Sequence, residues 1–177
     1  MMEEIILNFK KLDGTLVNDV EKYVKEWTKL NPYGKVIIGC DSQTHSRRIK
    51  YSIIICMHKI DIMQVGHGAH LLICNIWTKR MNSSQIDGMD SKLWKEAELA
   101  LQTAELVNGK DDYFKKKIEV HLDYNSIAEA NSHANLSHRL YASGLGLLQS
   151  YGYDNVKGKP AAIISANCAD HFAKGGH

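Results

Sequence analysis

A mixed α/β fold, with helices packed on a five-stranded sheet, is predicted by three features of the sequence. Apolar runs of strand length recur at 36–40, 51–58, 67–77, 118–123 and 161–165. Stretches with apolar residues at helical spacing lie over 15–30, 90–108, 132–150 and 166–174. The order is therefore a leading helix followed by β-β-β-α-β-α-β-α. Three hairpin-linked strands followed by helix-linked ones imply both antiparallel and parallel pairs in one sheet.

Residues 4–13 carry no clear pattern. The first helix places Leu16, Val20, Tyr23, Val24, Trp27 and Leu30 on one face, and Asn31-Pro32-Tyr33-Gly34 stops it. Tyr23 and Trp27 either close the core or form a homodimer face. The first strand run, Val36-Ile37-Ile38, ends at Gly39-Cys40 and delivers Asp41. The second is β-branched at its centre. Gly66-His67-Gly68 opens the third and suggests a bulge or a close backbone approach. Residues 81–88 read as a polar connector. The helix over 90–108 turns Leu93, Ala97, Ala100, Leu101 and Ala104 inward and stops at Asn108-Gly109. The fourth strand, IEVHLD, again ends on an aspartate. The helix over 132–150 has Leu136, Leu140, Gly144 and Leu147 on one stripe, and Gly144-x-Gly146 implies close packing. Neither repeats nor a low-complexity linker appear. The expectation is a single domain over 1–177, with an N-terminal helical extension over about 9–31.

The net charge of +2 neither demands nor excludes a nucleic-acid partner. Local basic clusters stand at Arg47-Arg48-Lys50, Lys79-Arg80, Lys115-Lys116-Lys117 and Lys157-Lys159; each is read as a solvated face or a phosphate contact. The longest apolar runs are far too short to span a bilayer. The opening MMEEIILNFKK lacks a signal-peptide apolar region, so a cytoplasmic location is expected. The four cysteines form no C-x-x-C pair and read as reduced, mostly buried residues.

The chemistry-bearing pattern is acidic. Asp41 and Asp123 both follow apolar strand runs, and adjacent parallel strands would bring them to one edge of the sheet. Carboxylates at close range are unfavourable unless protonated or bound to a cation, and hard cations such as Mg2+ and Mn2+ prefer oxygen ligands. Glu96 lies on the intervening helix. Leu99, Ala100 and Ala104 share its face, which packs more closely than the face bearing Glu98. Asp170 stands at the start of the last helix, where an acidic residue is also favourable locally. Two Mg2+ or Mn2+ ions about 4 Å apart on such a cluster suit phosphodiester cleavage.

Several segments carry a further resemblance: Ile38-Gly39-Cys40-Asp41-Ser42-Gln43, Leu93-Trp94-Lys95-Glu96, Val120-His121-Leu122-Asp123, Gly152-Tyr153 with Lys159-Pro160, and Ala169-Asp170. On these residues the chain resembles the RNase H-like superfamily. More narrowly, it is similar to the YkuK-type family of predicted RNase H-like nucleases, over about residues 9–174. The resemblance implies a β-β-β-α-β-α-β-α core with Asp41, Glu96, Asp123 and Asp170 as metal ligands. It implies hydrolysis of RNA, RNA–DNA hybrid or DNA. Ser42, Gln43 and Lys159 would position a phosphate or water, or serve only as surface and turn residues. His171 would shuttle protons, or stand exposed without a role.

Rival readings remain at this stage. A zinc site could use His67, His70 and Cys74, or Cys168 and His171 with His133 or His138, but neither set has the paired spacing of a structural zinc site. No nucleophile elbow or P-loop is present. A non-catalytic nucleic-acid-binding protein on the same fold, or a hydrolase of small phosphoesters, would share the pattern.

Overall fold

The centre of the sheet is its most apolar strand, Arg48–Ile60. Ile53, Ile55 and Met57 enter the main core, while Ile54 and Cys56 enter a second cluster on the opposite face. A strand buried on both faces needs an unbroken apolar run rather than alternation, and YSIIICM supplies it. The computed structural model describes residues 5–79, 85–110, 112–125, 132–159, 161, 162 and 164–174.

In chain order the elements are β1 (Lys10–Lys11), α1 (Val20–Leu30), β2 (Lys35–His45), β3 (Arg48–Ile60), β4 (Gly66–Lys79), α2 (Gln85–Asn108), α3 (Asp112–Lys115), β5 (Ile118–Asn125), α4 (Ser132–Ser150) and β6 (Val156–Lys159). A π-helical segment, Ile164–Ala169, then leads into α5, Asp170–Ala173. The sheet order is β1-β4-β3-β2-β5-β6. The β1–β4, β4–β3 and β3–β2 pairs are antiparallel, whereas β2–β5 and β5–β6 are parallel. This is the mixed sheet that the element order predicts. No helix among the described residues is long and apolar enough to cross a membrane.

Most helix faces follow the predicted spacing. Leu93, Ala97, Ala100, Leu101 and Ala104 are all buried on α2, and Gly109, at φ +60°, follows the helix end. α4 has the predicted bounds. α1, however, starts at Val20 rather than at 15, because the Asp19 side chain caps it by accepting from the Lys22 N–H at 2.9 Å. Leu16 bridges to Lys10 instead, and Leu16 and Leu30 are exposed. Tyr23 and Trp27 pack against the main core. β1, in the segment without a clear pattern, adds a sixth strand through Ile73 and Leu72 of β4. The β3–β4 ladder is irregular between His58 and Ile60, beside Gly66, and a Cβ at Gly66 would lie 2.8 Å from the His58 ring.

The strand expected over 161–165 is displaced. Its place in the sheet is taken by β6, which begins five residues earlier in polar sequence. Gly158 makes this possible, since a Cβ there would meet the Tyr141 ring at 2.5 Å and the Tyr124 carbonyl at 3.0 Å. The apolar residues that follow cover the second face of the sheet, where Ile164, Ala169 and Phe172 pack on Ile37, Ile54 and Cys56. The connector expected over 81–88 is helical from Gln85, while 81–84 and 126–131 lie outside the described residues.

The two glycines of Gly144-x-Gly146 differ. A Cβ on buried Gly144 would meet the Tyr124 ring at 2.8 Å and Leu122 at 3.1 Å, whereas Gly146 is exposed with nothing within 4 Å. Gly144→Ala should therefore destabilise the fold by about 1–3 kcal/mol. Gly146→Ala should be neutral or stabilising by up to about 1 kcal/mol. Urea unfolding of the two variants checks the contrast.

Candidate active site

The parallel ladder between β2 and β5 ends at the pair Cys40–Leu122. The next residue on each strand is an aspartate, so Asp41 and Asp123 leave the ladder as neighbours, roughly 5 Å apart by strand spacing. β2 itself does not end there. It remains paired with β3 through His45, and Asp41 lies opposite Ser52. Ser-Gln-Thr-His reads as a turn in sequence, yet it alternates between the two faces of the sheet. Asp41, Gln43 and His45 lie on the face covered by the C-terminal segment, and Ser42 faces α2.

Glu96 reaches the same place from α2. It is 2 % exposed, and the Ser42 hydroxyl donates to its Oε1. Its Oε2 is buried with no hydrogen-bond partner. Glu98 points elsewhere and takes the Trp94 indole N–H and Lys95. The Tyr124 hydroxyl donates to the Leu93 carbonyl, one turn before Glu96, and ties α2 to the end of β5.

Asp41 and Glu96 sense the charge of neighbouring carboxylates. Burial, followed by the charge of Asp123, pushes the Asp41 carboxyl up to about 6. Asp170 adds to the rise. Burial also pushes the Glu96 carboxyl well above its ordinary range, with Asp41 adding to the effect. Lys159 Nζ lies 2.9 Å from Asp123 Oδ1, and Lys174 Nζ lies 2.8 Å from Asp170 Oδ2. Among the described residues, no three acidic, histidine or cysteine side chains are close enough to hold a metal ion as they stand. The donor set nevertheless fits a hard cation: all oxygen, with one buried oxygen lacking a partner.

The zinc set of His67, His70 and Cys74 does not assemble. His67 pairs with Asp61 at 2.7 Å, His70 bonds the Tyr23 hydroxyl, and Cys74 is buried in the core. Gln43 is half-buried opposite Lys50. His171 is exposed, its ring edge-on to Phe172 at 5.2 Å.

A family model described as ribonuclease H-like matches residues 15–174. The chain belongs to the ribonuclease H-like family. Neither the curated proteins nor the solved structures contain a match to it. For this ribonuclease H-like chain, the position of Asp170 depends on how α5 is docked. Lys50 Nζ donates to the Phe172 carbonyl, and His45 Nε2 lies 3.1 Å from the Ala173 carbonyl. Both cap the C-terminal end of α5 and hold it over β2 and β3. Upstream, the Ile164 N–H donates to His121 Nδ1, which leaves His121 Nε2–H to donate to Glu119 Oε1 at 2.5 Å. Burial raises the Glu119 carboxyl, but hydrogen bonds from His121 and Lys157 outweigh it and bring it down to about 2.

Sequence pattern alone gives His45, Lys50, Glu119 and His121 no part in docking the C-terminal segment. The signal for Glu119 and His121 was the alternation in IEVHLD. Lys50 read as part of a solvated basic cluster but is buried.

The raised Asp41 carboxyl has a definite sign. Between about 3.8 and 6, the folded protein holds a proton that the unfolded chain has released, so this residue's contribution to stability falls as pH rises through that window. In chelator at pH 7.5, Asp41→Asn should therefore raise stability, by up to about 3 kcal/mol. The gain should vanish near pH 4. Thermal melts across this range check it.

Proposed function

We propose that this ribonuclease H-like chain is a divalent-metal-dependent nuclease of the YkuK type, hydrolysing phosphodiester bonds of nucleic acid in the cytoplasm. The observation that supports this reading is the burial of Asp41 and Glu96 beside the end of the β2–β5 ladder, where desolvation and neighbouring carboxylate charge push both carboxyls up despite the nearby Lys92. Asp41, Glu96, Asp123 and Asp170 would hold Mg2+ or Mn2+. When bound, such an ion supplies Lewis-acid charge and an acidified water. Ser42 fixes Glu96 through Oε1 and leaves Oε2 for the ion. Lys159, beside Asp123, keeps a positive charge where a phosphate oxygen would lie. Gln43 orients the phosphate from the same face. His171, next to Asp170 and open to solvent, passes a proton to the leaving oxygen.

One observation favours a rival. Lys159 and Lys174 already neutralise Asp123 and Asp170, which would suit a protein that binds nucleic acid without cutting it. Labelled RNA, RNA–DNA hybrid, single-stranded and branched DNA, each with Mg2+ or Mn2+, separate the two. The nuclease reading expects metal-dependent cleavage that falls by more than about 100-fold in Asp41→Asn. A well-folded wild type that cuts none of these substrates would hand the site to the rival. Cleavage of small phosphoesters alone would point to a different hydrolase.

A second expectation concerns the support. Ser42→Ala should weaken Mn2+ binding by about 10- to 100-fold without unfolding the chain. Calorimetric titration with Mn2+ measures this directly.

A further inference from the structure

The face of the sheet that carries Asp41 continues past it. In register with Asp41 lie Ser52 and Asn75, and the next same-face row is Gln43, Lys50 and Trp77. The last row is His45, Arg48 and Lys79. Trp77 is 50 % exposed in that row. The His45 ring packs against it at 5.3 Å, and Lys50 Nζ lies over it at 6.0 Å. Both are themselves fastened to the carbonyls of α5. The indole is thus braced on one side and open on the other. β1 covers β4 only at Leu72 and Ile73, so the Trp77 region lies at the edge of the sheet.

Around this ring the surface is cationic. Arg47, Arg48 and Lys79 are exposed, and none of them pairs with an acidic residue among the described residues. An exposed aromatic among unpaired cations suits a base and its phosphates better than a protein surface. From Asp41 to Trp77 the path crosses two strand spacings and two residues of rise, roughly 12 Å. A short single strand bridges that gap along one continuous face.

We infer that Trp77, flanked by Arg48 and Lys79, is a stacking platform for an unpaired base of single-stranded nucleic acid whose backbone runs across the sheet towards Asp41. The substrate class follows from the contact. A ring face can stack only on a base face that is free, and a duplex hides its base faces inside the stack. The direction of the strand rests on the nuclease reading given above, whereas the platform itself does not.

Binding in chelator isolates the platform from cleavage. Short fluorescein-labelled oligouridylate, oligothymidylate and a blunt DNA duplex of equal length are titrated with the full chain, and anisotropy is followed. Single strands should bind more tightly than the duplex. Trp77→Ala should weaken single-strand binding roughly 5- to 150-fold. Trp77→Phe should restore most of it while removing the tryptophan quench that accompanies binding. Arg48→Gln and Lys79→Gln should each lower the salt slope by about 0.7.

The inference is overturned if Trp77→Ala binds single strands as the wild type does, if the duplex binds as tightly as the single strands, or if the wild type binds no strand. Should Trp77→Ala fail to fold, the Trp77→Phe quench and the two salt slopes decide alone. Cleavage by the wild type with unchanged binding by Trp77→Ala would remove the platform and leave the nuclease reading. Binding through Trp77 without cleavage of any substrate would do the reverse.

Discussion

The site depends on one feature of strand pairing: the two ladders of β2 end at different places. Against β3, β2 stays paired to His45; against β5, it is paired only to Cys40. β5 meanwhile remains with β6, through Asn125 and Lys159. The sheet therefore divides beyond Cys40 and Leu122. Asp41 and Asp123 project from one face at that division, and Glu96 belongs to a helix on the other. A continuous sheet would separate them. The division lets a residue from each side meet, at the carboxyl ends of parallel strands, where open α/β sheets place their ligands.

Such a cluster works against the fold that contains it. Buried carboxylates near one another raise the cost of ionisation, and the direction of the Asp41 and Glu96 shifts expresses that cost. The surrounding contacts offset it. Tyr124 ties β5 to α2, Ser42 holds Glu96, Lys50 and His45 cap α5, and His121 holds the start of the C-terminal segment. Each such bond contributes on the order of 1 kcal/mol, but together they fix three separate elements around one point. Gly144 belongs to the same assembly, because its missing side chain gives the Tyr124 ring its space.

Where sequence and structure part, local chemistry had a competing use. The polar residues after Asp41 look like a turn because they end the apolar run, and Ser, Gln and His favour no regular element strongly. They form strand because β3 offers a complementary edge. The apolar residues near 161–165 look like a strand, but the sheet needs an apolar cover on its second face more than another strand there. Polar Val156–Lys159 can enter the sheet because Gly158 lets it approach Tyr141.

The mixed sheet flanked by helices, the inward face of α2, the bounds of α4 and the free cysteines were readable from periodicity and residue type, because burial imposes a repeat on the chain. The aspartates at the ends of two apolar runs were readable for the same reason. Tertiary structure alone decided that β2 and β5 are parallel neighbours ending at the same level, and that Glu119, His121, Lys50 and His45 anchor the segment bearing Asp170. It also placed Trp77 on the face of Asp41. These are relations between residues distant in sequence, set by strand register, and no local pattern encodes a register between strands separated by a helix.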